Sequence, residues 1–179
     1  MPYKKREISV KERICQALIR LVSSDAKPYD QITIQEIVDE AGVCRNSFYR
    51  NFKSKNDIFT EKFQEVAIES GEIMRQLDGD FYHKIICSFF ETARRNKEFL
   101  LCFYKADPKT YFDIFTGTIL RSNTNGDPDN VPAEKYYRYA ARAWLGTGIL
   151  TEWMKRDCDV PMDEIIEWFE QYSSSLMNQ

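Results

Sequence analysis

Arg45, Asn46, Ser47, Tyr49 and Arg50 place five hydrogen-bonding side chains within six consecutive residues. The chemistry they can do is recognition. A guanidinium forks onto N7 and O6 of guanine, a carboxamide pairs with N6 and N7 of adenine, and a hydroxyl serves either base. Arg45 is therefore the candidate for guanine, Asn46 for adenine and Ser47 for either. Arg50 and Lys53 add charge suited to phosphate oxygens. Phe48 and Phe52 interrupt this polar run four residues apart, the spacing of one helix face. A short helix with an apolar back and a hydrogen-bonding front is the element that enters a major groove.

The residues before it supply what such a helix needs for positioning. Thr33 and Glu36 have capping-box spacing, and Ile32 with Ile37 has that of a hydrophobic staple. Ile34, Ile37, Val38 and Ala41 then share a face, so a helix is predicted over about 33–40. Gly42 ends it by taking a positive φ without a Cβ clash, and Val43 plugs the turn into the core. The second helix is predicted over about 44–50. An earlier helix over 8–24 presents Ile14, Ala17, Leu18, Leu21 and Val22 on one side, with Lys11, Arg13 and Arg20 outside. Ser54 and Asp57 can open a fourth helix over 55–76, whose Ile58, Phe59 and Phe63 close a small core. The pattern is a helix-turn-helix.

The run AGVCRNSFYRNFKSKNDIF, residues 41–59, resembles the signature of the tetracycline-repressor (TetR) family of bacterial transcription regulators. That signature is close to A-G-V-S/T-x-x-x-L/F-Y-x-H/Y-F-x-S/N-K-E/D-x-L/F. The likeness covers roughly residues 8–60 and requires Phe48-Tyr49, Phe52, Lys55 and Asp57 to fall in register. Three positions depart from it. Cys44 stands where Ser or Thr commonly caps, Asn46 where a small residue or Pro is frequent, and Asn51 where His is frequent. The resemblance implies that Tyr49 and Lys55 bind phosphate, that Asn51 matches another phosphate position, and that Thr33 contacts the DNA backbone.

Net charge is −3, which alone argues against a nucleic-acid binder. Its distribution argues otherwise. Residues 1–55 carry 11 Lys/Arg against 7 Asp/Glu, and the remainder 14 against 21. A basic first third fits a chain in which only that part meets DNA. Residues 2–7, PYKKRE, are either an arm reaching phosphates or a frayed terminus. Five scattered cysteines with no CxxC, and a single His, give no disulfide framework and no metal site. The bland reading of the cysteines is buried reduced thiols, although Cys44, on the DNA-facing helix, is a conceivable redox sensor. No Gly-rich phosphate loop, nucleophile elbow or cofactor motif appears, so catalysis has little to stand on. No apolar run approaches the roughly 18–20 residues of a membrane span, and no secretory signal is visible. A cytoplasmic protein is expected.

Beyond residue 77 the periodicity predicts five more helices, over 81–95, 97–106, 107–121, 133–156 and 162–176. The first of the helix pairs here takes Asn96 as a cap, the next Asp107 with Pro108. The fold class expected is all-α, with about nine helices. Residues 1–60 form a three-helix helix-turn-helix DNA-binding domain, and 61–179 a regulatory and dimerisation domain. The aromatic set includes Phe89, Phe90, Phe103, Tyr111, Phe112 and Phe115. It either lines a pocket for an apolar or aromatic effector, as the family often has between helices four and eight, or fills a core. In the family the last two helices pair with their symmetry mates. That implies a dimer surface at Trp144, Leu145, Ile149, Trp153, Ile165 and Phe169, with intramolecular core as the alternative. A homodimer also follows from palindromic operators, whose two-fold symmetry a single headpiece cannot match.

The expected function is thus a DNA-binding regulator, acting as a repressor released by a ligand. The tail pattern Trp144-Leu-Gly146…Gly148-Ile-Leu…Trp153 more loosely resembles the dihydroxyacetone-kinase operon regulators. Some of those act with a protein partner. The competing class is a helical protein-interaction adaptor that does not bind DNA, for which Arg45→Ala would change nothing.

Overall fold

The structure is a computed structural model that describes residues 8–124 and 126–175. The basic segment 2–7 and Leu176 lie outside the described residues. Nine α-helices and no strand occur among those described. They are α1 (Val10–Ser23), α2 (Ile34–Ala41), α3 (Arg45–Asn51), α4 (Lys55–Gln76), α5 (Phe81–Arg95), α6 (Lys97–Ala106), α7 (Pro108–Asn123), α8 (Ala133–Lys155) and α9 (Met162–Ser175). Single 3-10 turns sit at Tyr29–Gln31 and Pro128–Asn130. The chain divides into two compact units, Met1–Ala67 and Ile68–Gln179, so the division falls within α4.

Local chemistry explains most of the helix ends. Ser9 caps α1 by accepting from the Glu12 N–H at 3.1 Å. Asp80 caps α5 through the N–H groups of Tyr82 and His83. Asp107 caps α7 through the Thr110 N–H, with Pro108 in the first turn. Asn96 does not cap α6. Its carboxamide turns back to donate to the Thr92 carbonyl at 3.0 Å and to Glu69 Oε2 at 2.8 Å. A donor NH2 beside two acceptors is drawn to them, and the cap is lost.

In the first unit, α1 packs on α2 and α3 around Ile14, Leu18, Ile37, Val38 and Phe48, all buried. Two arginines of α1 reach across to the turn that follows α2. Arg13 Nη2 donates to the carbonyls of Ala41 and Gly42, both at 2.7 Å, and Arg20 Nε bonds Glu40 Oε1 at 2.5 Å. These cations satisfy carbonyls that a helix C-terminus leaves unpaired.

The second unit is built on α7 against α8, with α5, α6 and α9 completing it. Tyr111 is fully buried, and its hydroxyl meets Thr151 Oγ1 at 3.1 Å. Gly146 marks the closest approach of α8 to α9, because a Cβ there would sit 3.3 Å from Phe169 Cε2.

Candidate nucleic-acid interface

The turn between α2 and α3 sets the aim of the reading helix. Thr33 accepts from the Glu36 N–H at 3.2 Å, and Glu36 Oε2 accepts from the Thr33 N–H at 2.9 Å, completing a capping box. Ile32 and Ile37 are both buried beside it. Gly42 has φ +61° and ψ +41°, the left-handed conformation, and the Val43 N–H returns to the Val38 carbonyl at 2.9 Å. Phe48 on α3 is 0% exposed, which anchors the helix by its back. Burying one such side chain contributes about 1.5–3 kcal/mol.

The opposite face carries the expected front. Arg45, Asn46, Tyr49 and Arg50 are exposed, Tyr49 to 49%. The Arg45 guanidinium lies 5.7 Å from the centroid of the Tyr49 ring and donates to its hydroxyl at 3.3 Å. This pre-orders two long side chains at one turn of helix. Ser47 is half-buried, and its hydroxyl is 3.1 Å from Cys44 Sγ. Asn51 donates to the Ser47 carbonyl at 2.7 Å. Lys53 is exposed just past the helix, and its N–H donates to Asp57 Oδ2 at 2.8 Å. That bond first, with the Ser54 hydroxyl next, holds the Asp57 carboxyl below its usual range.

Two of the expected phosphate contacts are committed elsewhere. Lys55 donates to three backbone carbonyls, those of Tyr29 at 2.7 Å, Asp30 at 2.9 Å and Ile32 at 2.9 Å. Its ammonium also lies 4.4 Å over the Tyr29 ring. An ammonium has three donors, and all three are taken. Burial draws its pKa down, as expected for a cation turned inward. The Thr33 hydroxyl likewise accepts from the Glu36 N–H and donates to Glu36 Oε2 at 2.7 Å. Both residues hold the loop and helix that support the reading face.

Sequence reasoning missed Arg13 and Tyr29. Tyr29 stacks on Lys55, tilts against Phe59 at 5.4 Å, and donates to Asn56 Oδ1 at 2.6 Å. Neither residue carries a local spacing that signals this role. Cys44 opens α3 with no side-chain cap bond. Its thiol pKa is lowered, first by the Ser47 hydroxyl and then by the Ser47 N–H.

In the second unit, the six residues expected to line a pocket are brought together, and their rings pack on one another. Tyr111 and Phe115 centroids are 4.6 Å apart, Phe103 and Tyr111 5.8 Å, and Phe89 and Phe115 5.4 Å. Phe90 turns the other way, against Trp153 at 5.7 Å and Phe169 at 6.2 Å. The residues expected at a dimer surface separate into two groups. Trp153, Ile165 and Phe169 are buried inside the protomer, and Trp153 Nε1 donates to the Val160 carbonyl at 2.9 Å. They belong to the protomer's own core, because the glycine at 146 lets α9 close directly onto α8. Leu145 and Ile149 are half-buried. Trp144 is 54% exposed while stacking on Phe112 at 5.4 Å and 15°. The exposed apolar residues on α8 and α9 are Tyr137, Trp144, Trp168 and Tyr172, and a Cβ at Gly148 would meet nothing within 4 Å.

A glycine-turned helix pair with a buried phenylalanine behind an arginine-rich front, joined to an all-helical unit, defines a helix-turn-helix protein. Residues 25–61 match the family described as bacterial regulatory proteins, tetR family. By that domain the chain belongs to the TetR family. Among curated relatives it is 31% identical over 99 residues to YerO, an uncharacterized HTH-type transcriptional regulator of Bacillus subtilis (strain 168), over 51% of this chain and 34% of that one. It is 29% identical over 75 residues to YvkB of the same organism, also an uncharacterized HTH-type regulator, over 42% and 39% of the two chains. The matched part thus spans little more than a third of each relative's length.

The fold likeness extends further. The dihydroxyacetone kinase operon activator DhaS superposes with a TM-score of 0.60 at 16% identity, over 94% of this chain and 96% of that one. The fatty acid degradation regulator FadR from Bacillus halodurans gives 0.59 at 15% identity over the same shares. No helix among the described residues is long and apolar enough to cross a membrane.

Proposed function

We propose that this protein is a transcriptional regulator that binds a palindromic operator as a homodimer. Residues 1–60 act as the DNA-binding domain and 61–179 as the regulatory and dimerisation domain. The observation that carries this reading is the exposed row Arg45, Asn46, Tyr49 and Arg50 on a helix anchored by fully buried Phe48. Arg45 and Asn46 read base edges, while Tyr49, Arg50, Asn51 and Lys53 hold phosphates. The dimer forms on the outward faces of α8 and α9 through Trp144, Gly148, Trp168 and Tyr172. Aromatic anchors and small residues of this kind suit close helix pairing.

The repressor sign rests on the family resemblance. A small apolar or aromatic effector would enter between the half-buried rings of Phe89 and Phe112 and change the spacing of the two reading helices. The test is gel-shift binding to a recovered operator. A folded protein in which Arg45→Ala binds as well as wild type sinks the reading in favour of a protein-interaction adaptor. A reporter with that operator over its promoter gives the sign, and expression rising on loss of the protein is the expected result.

A further inference from the structure

Arg142 on α8 is half-buried and has no hydrogen bond or ion pair to any described residue. Its Cζ sits 3.7 Å from the centroid of the Tyr82 ring on α5 and 5.8 Å from that of Phe169 on α9. The Nε of Arg142 and the hydroxyl oxygen of Tyr82 are each buried with no partner. Two orphaned groups, both able to donate, therefore meet at one place among three helices. Glu170 is the carboxylate whose charge acts on Arg142, yet it is engaged by His83, with Nδ1 and Oε1 3.2 Å apart. Burial pulls the Arg142 pKa down to about 10, with Glu170 pulling the other way. A buried donor without an acceptor is destabilising, and for a charged donor more so.

We propose that Arg142 and Tyr82 form a binding site for a small carboxylate, with Arg142 donating from Nε and the guanidinium fork and Tyr82 from its hydroxyl. The Phe169 ring beside the guanidinium favours a carboxylate with an apolar or aromatic body. The nearby charge of Glu170 disfavours a dianion, so phosphate is the poorer ligand. The site lies apart from the Tyr111–Phe115 ring cluster and goes beyond the operator-binding reading, which stands or falls separately.

The test is calorimetric titration of the full chain with benzoate and, separately, inorganic phosphate, at ionic strength matched with chloride. Saturable benzoate binding is expected, weakened about tenfold or more by Arg142→Met, which keeps the stem over Tyr82. Tyr82→Phe should weaken it about threefold while leaving the melting temperature without benzoate unchanged or higher, since it removes an unpaired hydroxyl. A purely structural role for the pair predicts the opposite, a lower melting temperature. If Arg142→Met does not fold, Arg142→Lys decides, with the fork lost and benzoate binding reduced. No saturation by wild type, or equal binding by the variants, overturns the proposal. Tighter binding of phosphate than of benzoate overturns the carboxylate assignment. Loss of self-association in Arg142→Met without benzoate binding by wild type also overturns it, and assigns Arg142 to a second copy of the chain.

Discussion

Lys55 offers the sharpest test of how this headpiece is built. Family resemblance makes it a phosphate ligand, and the structure makes it a clamp on the Tyr29–Ile32 loop. Take Lys55→Met, which keeps an apolar stem against Tyr29 and removes the ammonium. The bonds to the Tyr29 and Ile32 carbonyls are part-buried, and that to Asp30 is exposed. The exposed carbonyl rehydrates at little cost. Each part-buried one, left unpaired, costs about 1 kcal/mol at the lower end of the usual range. Relief of the ammonium's own desolvation offsets part of this, leaving a net loss of about 1.5 kcal/mol. Urea unfolding followed by helical circular dichroism measures it. Operator affinity as a function of salt measures the rival role, because each lost phosphate contact flattens the log–log slope by about 0.9. The clamp predicts reduced stability and an unchanged slope for the folded variant. Stability within about 0.5 kcal/mol of wild type, with a slope flattened by about 0.9, would refute the reasoning.

Other substitutions probe the remaining joints. Gly42→Ala puts an L-residue at φ +61°, with its Cβ 3.0 Å from Arg13 Nη2. A loss of about 1–2 kcal/mol is expected by urea unfolding, and less for Gly42→Asn. Glu36 has its pKa lowered to about 2, first by the Lys27 ammonium and then by Thr33. A depressed carboxylate stabilises fully above its unfolded value and loses that contribution as pH falls through about 2. The stability difference between wild type and Glu36→Gln should therefore hold from neutrality down to about pH 5, shrink below that, and vanish under about pH 2. Trp168→Glu should shift sedimentation from dimer to monomer without lowering the melting temperature. Phe169→Ala should instead destabilise the protomer by about 3–5 kcal/mol.

The sequence made the reading head legible because its signals are local. A capping box spans three residues, a staple five, and a left-handed glycine one, so Thr33, Glu36 and Gly42 announced themselves. The polar front of α3 followed from the four-residue spacing of Phe48 and Phe52. Lys55 and Arg13 were not legible, since their acceptors lie 23–26 and 28–29 residues away. Nothing in a lysine's neighbours shows that its charge turns inward. The outward surface of α8 and α9 was misread for a related reason. Both faces of α8 carry aromatic and small residues, and only the approach of Phe169 to Gly146 decides that Trp153 is inside and Trp144 outside. Asn96 had the right type for a cap, but two acceptors in three dimensions outcompeted it.

The most direct measurement is selection of bound sites from random duplex DNA, with wild type and Arg45→Ala in parallel at two salt concentrations. The account predicts an enriched palindrome, lost in the Arg45 variant, bound with an affinity that falls steeply as salt rises. No enrichment by a folded dimer, or the same palindrome recovered with Arg45→Ala, would contradict it.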